Sequence, residues 1–440
     1  MHAAASGERR VVITGMGVIC PLGNTLEDLW SGLTSQKSGV ASLPDGLGHL
    51  PTRIGAVAGE FSGDISGFGE LAPPLKKAIR KGLKLMCRES QMAVAAAQRA
   101  LDDAGFADAG YPPERAGIVF GSDYMLSEPS ELATGMGLCF DEAGAFHFGR
   151  WGESGMREMQ PLWLLKYLPN MPACHVAIYN DLRGPNNSLT LREASSNAAI
   201  GEAGRTIARG SADLMVAGAT GTRLHTMKRI HTALAEEIAD GDDAAAASRP
   251  FDKDRRGMVL GEGSGAIVLE EYERARQRGA RIYGELVGSG SSVVARPRGP
   301  GCRDMALANA MRAALNDARL RLDQIGHIHA HGLGTQTADI DEARAIGEIF
   351  GDQVTQPPVT TAKSYFGNLG AGSGTVELVA SLLALEHDQL FPVLNFHTAD
   401  PECPVNVARG DNGAAGSSFL NSNVTQQGQA AVVAVRRLDD

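Results

Sequence analysis

The sequence is short of aromatic residues, at 5% of 440, and has no apolar run near the eighteen or so residues that a membrane span needs. It also has no lysine- and arginine-rich stretch, and its formal net charge is −10. These absences argue against a membrane span and against nucleic acid as a partner, although an acidic protein could still dock on a local basic patch. The six cysteines, Cys20, Cys87, Cys139, Cys174, Cys302 and Cys403, make no C-x-x-C pair and stand in no histidine cluster at metal-ligand spacing. Such scattered thiols read as reduced and mostly buried, and nothing in the sequence suggests a metal, nucleotide or flavin. Residues 1–10 lack the basic-then-apolar order of a signal peptide, and a cytoplasmic location is the expectation.

What is abundant is alanine and glycine, within a hydrophobic fraction of 43%. A chain of this length holds two modest domains or one large α/β body. Residues 10–23 read as an apolar strand followed by a glycine turn. Gly15-x-Gly17 invites a dinucleotide-site reading, but Pro21 and a helix starting near Thr25 do not fit that fingerprint. Helical periodicity covers 85–104 and stops at Gly105, and a buried strand follows at 116–122. Residues 123–170 are irregular, around Trp151, Trp163 and Tyr167. An apolar run at 212–220 reads as a central strand, with another at 266–270. The pattern then begins again: strand 281–287, helix 304–318, strand 325–330, helix 341–350, strand 359–361, helix 374–386 and strand 430–435. Periodicity alone supports an α/β class.

The stretch 184–201 stands apart. It reads as a turn at Gly184-Pro185, a short strand through Leu189, Thr190 and Leu191, and small residues opening a helix that continues to Ile207. A strand running directly into a helix forces a tight bend whose residue aims its side chain and free N–H into a cavity. Glu193 is the expected bend residue.

This segment resembles the nucleophile elbow of the β-ketoacyl-[acyl-carrier-protein] synthases, condensing enzymes of the thiolase superfamily. There, Gly-Pro-Asn-x-Ser leads to Ala-Cys-x-Ser and an Ile-Gly-x-Ala helix. Counting from Gly184-Pro185-Asn186, and back from Ile200-Gly201-Glu202-Ala203, puts Arg192-Glu193 where the family has Ala-Cys. The resemblance extends to Val11–Gly23 and to Arg249-Pro250-Phe251-Asp252 with Gly261-Glu262-Gly263, a segment that argues for fold more than for activity. It covers nearly the whole chain and implies the duplicated five-layered α/β/α/β/α thiolase-like fold, with halves at 10–272 and 280–438. In the family, the irregular 123–170 region helps to build the dimer face and the acyl tunnel.

The family's catalytic constellation is partly kept. His331-Gly332-Leu333-Gly334-Thr335, with Asp339 and Glu342, matches the loop of the first enolate-stabilising histidine, with Leu333 in place of a threonine. Lys363-Ser364-x-x-Gly367-Asn368 matches the second, with Asn368 replacing histidine and still able to donate from its amide. Lys363 is kept, and in the family it supports the acidic residue and the histidine geometry. The glycine-rich gate has become Asn421–Gln429, whose Val424, Gln426 and Gln427 resist the backbone angles that glycine permits. Glu193 itself has three readings: a carboxylate capping the elbow helix, an anion that repels a developing oxyanion, or a neutral acid donating a hydrogen bond if burial raises its pKa.

Three functions follow from the resemblance. The first is a non-condensing, chain-length-factor-like partner of a cysteine-bearing ketosynthase. The second is a decarboxylase of malonyl-carrier-protein thioesters using His331 and Asn368. The third is an atypical 3-oxoacyl-[acyl-carrier-protein] synthase. An acyl carrier protein and a homodimer or heterodimer are the partners implied.

Overall fold

A computed structural model of the chain describes residues 9–43, 52–410 and 413–438. Ten strands form one sheet: β1 Val11–Ile19, β2 Ala116–Ser122, β3 Asn186–Thr190, β4 Leu214–Thr222, β5 Glu262–Glu271, β6 Gly284–Val293, β7 His327–His329, β8 Val359–Thr360, β9 Ser418–Val424 and β10 Gln429–Arg436. Their order is β8-β7-β9-β10-β6-β1-β5-β4-β2-β3. Read outward from the centre, β1-β5-β4-β2-β3 and β6-β10-β9-β7-β8 are the same arrangement. The pairings agree as well: the inner two in each series are antiparallel and the outer two parallel. The series meet where β1 runs antiparallel to β6, at Val12–Glu285 and Ile13–Gly284.

Five helices of fourteen or more residues pack on this sheet: α1 Arg88–Asp103, α2 Ser195–Ala208, α3 Arg303–Ala318, α4 Gln336–Phe350 and α5 Ser373–His387. Alternation along the strands decides the layering, because successive side chains point to opposite faces. On β4, Leu214 and Val216 join the core of α1, whereas Met215 and Ala217 join the core of α2 and α5. On β10, Val432 and Ala434 pack with α3, and Val433 and Val435 with α2 and α5. The pair α2 and α5 is thus a central layer shared by both series, with α1 outside one and α3 with α4 outside the other. This is the five-layered α/β/α/β/α body of the thiolase-like fold, and strands covered on both faces explain the continuous apolar runs. Among the described residues, no helix is long and apolar enough to cross a membrane.

Several local expectations shift. The first long helix begins at Arg88, after a short turn at Leu83–Leu85, and α4 starts five residues earlier than its periodicity suggests, capped by the Thr335 hydroxyl. β6 lies further along than expected. Residues 421–429 form no open loop: β9 runs to Val424 and turns tightly at Thr425–Gly428 into β10.

Gly15 and Gly17 hold no dinucleotide. A Cβ on Gly17 would lie 2.2 Å from the Ala96 carbonyl oxygen of α1, and one on Gly290 of β6 would lie 2.2 Å from the Ala310 oxygen of α3. The two glycines do the same packing job in the two series, letting a helix backbone lie directly on a strand. Gly17→Ala and Gly290→Ala are therefore each expected to destabilise the fold by about 2–3 kcal/mol. Denaturant midpoints would show this, and an unchanged midpoint for either would contradict the packing argument.

Candidate active site

From β3 the chain passes Leu191 into a tight turn, Arg192–Ala194, and then into α2. The corner residue is Arg192, with φ of +52°, and not Glu193 as the sequence suggests. Glu193 follows the corner and turns its carboxylate inward, where the residue is only 2% exposed. The carboxylate does not cap α2. Among the described residues its Oε1 accepts from the Arg223 guanidinium and, at 3.1 Å, from Asn368 Nδ2. Arg192 Nε stands 3.7 Å from Oε2. Glu236 completes the group, accepting from Arg192 and, at 3.3 Å, from Arg223 Nη1.

The four side chains carry two positive and two negative charges, and those of Glu193, Arg223 and Glu236 are more than nine-tenths buried. Charges so far from water are tolerated only as a compensated set. Burial opposes the charge of Glu236, but Arg223 and Arg192 hold its carboxyl below the usual range. The Arg223 contact favours the ionised form of Glu193, against the neutral-acid reading.

Asn368 is held from both ends. Its Oδ1 accepts from Gly370 N at 2.9 Å, which turns the amide Nδ2 toward Glu193. Its backbone is clamped to Val259 and Gly261 by hydrogen bonds of 2.8 and 2.9 Å. Gly367 makes this approach possible: its φ is +66°, and a Cβ there would lie 2.4 Å from Val259 O.

His331 lies in the loop after β7. Glu342 accepts from His331 N and Gly332 N, both at 2.7 Å, and Asp339 accepts from Leu333 N, Gly334 N and Phe251 N. Burial pushes these two carboxyls up, Asp339 to about 6 and Glu342 to about 7, against the pull of those N–H groups. The Arg-Pro-Phe-Asp segment supports the same loop, since the fully buried Arg255 donates to Thr335 O and pairs with Asp400. The imidazole is buried and its Nδ1 has no partner among the described residues. Burial first, then Lys363, Arg303 and Arg223, keep its pKa well below the ordinary value. Lys363 does not reach Asp339 or Glu342. It pairs with the buried Glu377 of α5, which also accepts from Asn423 at 2.8 Å.

Glu193, Glu236, Arg303 and His331 line one cavity with Val424 and Gln426. Its room is about 10 Å³, at the threshold for a single water. The β9–β10 turn closes it, Gln426 donating to Ala235 O at 2.6 Å and Gln427 accepting from Arg192. Three of the four predicted site residues, Glu193, His331 and Asn368, thus gather around the elbow, whereas Lys363 is taken up by Glu377 of α5. Arg223 and Glu236 were not foreseen: one follows β4 and the other a helix at Thr226–Ala235, and neither belongs to a motif. A family model described as "Beta-ketoacyl synthase, N-terminal domain" matches residues 8–275, and one described as "Beta-ketoacyl synthase, C-terminal domain" matches 283–397. The chain belongs to the β-ketoacyl synthase family.

Among ketosynthase relatives, 3-oxoacyl-[acyl-carrier-protein] synthase 2 of Synechocystis sp. is 33% identical over 416 residues, 92% of each chain. A β-ketoacyl synthase structure from Burkholderia phymatum superposes with a TM-score of 0.84 at 30% identity, over 98% of this chain and all of that one. The ishigamide ketosynthase/chain length factor superposes at 0.80 with 27% identity, again over 98% of this chain and all of that one.

Two outcomes follow from the geometry. Glu193→Ala leaves Arg223 as a buried, partly uncompensated cation and should cost about 3–5 kcal/mol, while Glu193→Leu combined with Arg223→Met should cost much less than the two single changes added. Additive unfolding energies would contradict the pairing. Burial and the neighbouring cations should keep the His331 ring neutral through the range where an ordinary histidine titrates, so an NMR inflection near the ordinary value of about 6.5 would contradict the burial argument.

Proposed function

We propose that this protein is a non-condensing ketosynthase-family subunit, the chain-length-factor-like partner of a cysteine-bearing ketosynthase in fatty-acid or polyketide synthesis. Its partner would work on chains carried by an acyl carrier protein, in the cytoplasm. What supports this reading is Glu193, which the motif spacing of the resemblance sets where the family has its nucleophilic cysteine, and which is bound by Arg223 and Asn368 in a cavity with no room for a thioester.

Condensation needs a nucleophile that attacks the acyl carbonyl and donors that receive the oxyanion. A carboxylate at the elbow is a weak nucleophile here, and it repels the oxyanion. The amide of Asn368, the donor a malonyl enolate would need, is already engaged by Glu193. That weakens the decarboxylase reading, although the retained His331 and Lys363 keep it as the rival. The pocket of about 340 Å³ on the other side of the Thr222–His225 segment is walled by Arg88, Glu89, Glu128, Glu131, Lys166 and Glu262. Met86, Leu126, Tyr167 and Leu224 complete the lining, so its walls mix charged and apolar groups. An apolar face suited to a partner subunit is present on the irregular 123–170 excursion, where Phe148 is 75% exposed and Leu138, Phe140, Met156, Leu162 and Leu164 are also exposed.

Two experiments test this reading. Mixed with a cysteine-bearing ketosynthase of the same source, the protein should form a heterodimer on size exclusion and set product length, and Phe148→Asp with Leu164→Asp should abolish association without unfolding the chain. Alone, with malonyl-carrier protein, it should release no CO₂ and form no acyl adduct. CO₂ release lost on His331→Ala would overturn the proposal in favour of the decarboxylase, and a covalent acyl adduct would favour an atypical condensing enzyme.

A further inference from the structure

A cavity of about 320 Å³ lies at the far end of α2 from Glu193, where the last turns of that helix meet β6, the end of α3 and the start of β1. Its floor is small and apolar, with Gly201, Gly204 and Ala208 of α2 beside Leu286 and Val287 of β6. Five arginines line it, Arg9, Arg10, Arg205, Arg319 and Arg436, against two carboxylates, Glu285 and Asp317. Unlike the guanidiniums around Glu193, these stand open to water. The side chains of Arg9, Arg10 and Arg436 are 39%, 41% and 44% exposed, and Arg205 is exposed as well, so a ligand can reach them.

The counter-charges already present are divided among several cations. Glu285 accepts from Arg10 at 2.7 Å and from Arg436 at 2.8 Å, so one carboxylate serves two guanidiniums. Asp213, at the edge, is shared by Arg9, Arg115 and Arg274. Asp317 accepts from Ser289 N at 2.9 Å. Arg205 makes no ion pair among the described residues, and its guanidinium has one hydrogen bond, to Ser289 Oγ at 2.7 Å. Even without counting Arg319, six guanidiniums therefore meet three carboxylates, Asp213, Glu285 and Asp317. The C-terminal ends of α2 and α3, at Ala208 and Ala318, also lie at the cavity and are a structural reason for cations there. Each is worth only about half a negative charge, which leaves an excess of roughly two positive charges.

On a chain whose formal net charge is −10, such an excess is local, and its size selects a dianion. Guanidinium forks match the oxygens of a phosphoryl group, and the room is that of a small-molecule site, at the lower end of the range of about 300–1,000 Å³. We propose that this cavity binds a small phosphate monoester, its phosphoryl oxygens accepting from Arg10, Arg205 and Arg436 and its organic part lying on Gly201, Gly204 and Leu286. The assignment is independent of the reading of Glu193.

Calorimetric titration of the full chain with phenyl phosphate, against benzoate at matched ionic strength, tests it. Phenyl phosphate should bind saturably with a Kd of about 1 mM or below and raise Tm, and benzoate, a monoanion with the same ring, should bind at least about tenfold more weakly. Arg205→Met keeps the aliphatic stem at an exposed position without an ion pair, and it should weaken phenyl phosphate by about tenfold or more while leaving Tm of the unliganded chain nearly unchanged. Arg344→Met, at an exposed arginine of α4 outside the cavity, should leave the affinity as it was. No saturable binding of phenyl phosphate up to about 10 mM, benzoate binding as tightly, or equal affinities in folded Arg205→Met and Arg344→Met variants would each overturn the assignment. The comparison of the two anions needs only the unaltered chain, so a variant that fails to fold still leaves the proposal open to refutation.

Discussion

A buried carboxylate held by a buried guanidinium sets the character of this protein's centre. Glu193 and Arg223 come from the elbow and from the end of β4, and each is tolerated out of water because the other is there. Glu236 and Arg192 extend the pair to four compensated charges, and Asn368 adds a second donor to Glu193 Oε1, while Oε2 has no hydrogen-bond partner among the described residues. Once the set is in place, the cavity in front of His331 has room for about one water. The chemistry open to the site then follows from its occupancy: donors that would meet a reacting carbonyl already meet a side chain.

The scaffold around this set is conventional for the family. The two strand series repeat one arrangement, and the elbow helix α2 and its counterpart α5 share the middle layer. Each opens where its strand series places functional groups: α2 just after Glu193, α5 just after Asn368 and Gly370. The His331 loop owes its shape to two carboxyls, Asp339 and Glu342, that accept five backbone N–H groups between them, and to Arg255 behind them. The machinery that positions the histidine is therefore intact while the place opposite it is filled, and it is the filled place that supports the proposed partner role.

Much of this was legible in the residues. Apolar runs at 116–122 and 212–220 announced strands because both of their faces are covered, and the spacing between Gly184-Pro185 and Ile200-Gly201 located the elbow. Motif spacing also placed Asn368 near it. The β9 strand escaped because Asn421, Ser422 and Asn423 look like loop residues. Their side chains are buried all the same, hydrogen-bonded to Asn197, Glu342 and Glu377, a pattern that hydropathy does not register.

By itself, the sequence determined the class, the repeat of strand and helix, the family and the acidic residue at the elbow, because these depend on local periodicity and on spacing within short segments. Only the tertiary structure decided that Arg192 takes the left-handed corner, that Arg223 and Glu236 neutralise the elbow, and that Arg10, Arg205 and Arg436 converge on one cavity. Those outcomes depend on groups far apart in the chain. Arg223 lies thirty positions from Glu193 and Asn368 a hundred and seventy-five. No local pattern encodes such a meeting, which arises when the strands bring their ends together.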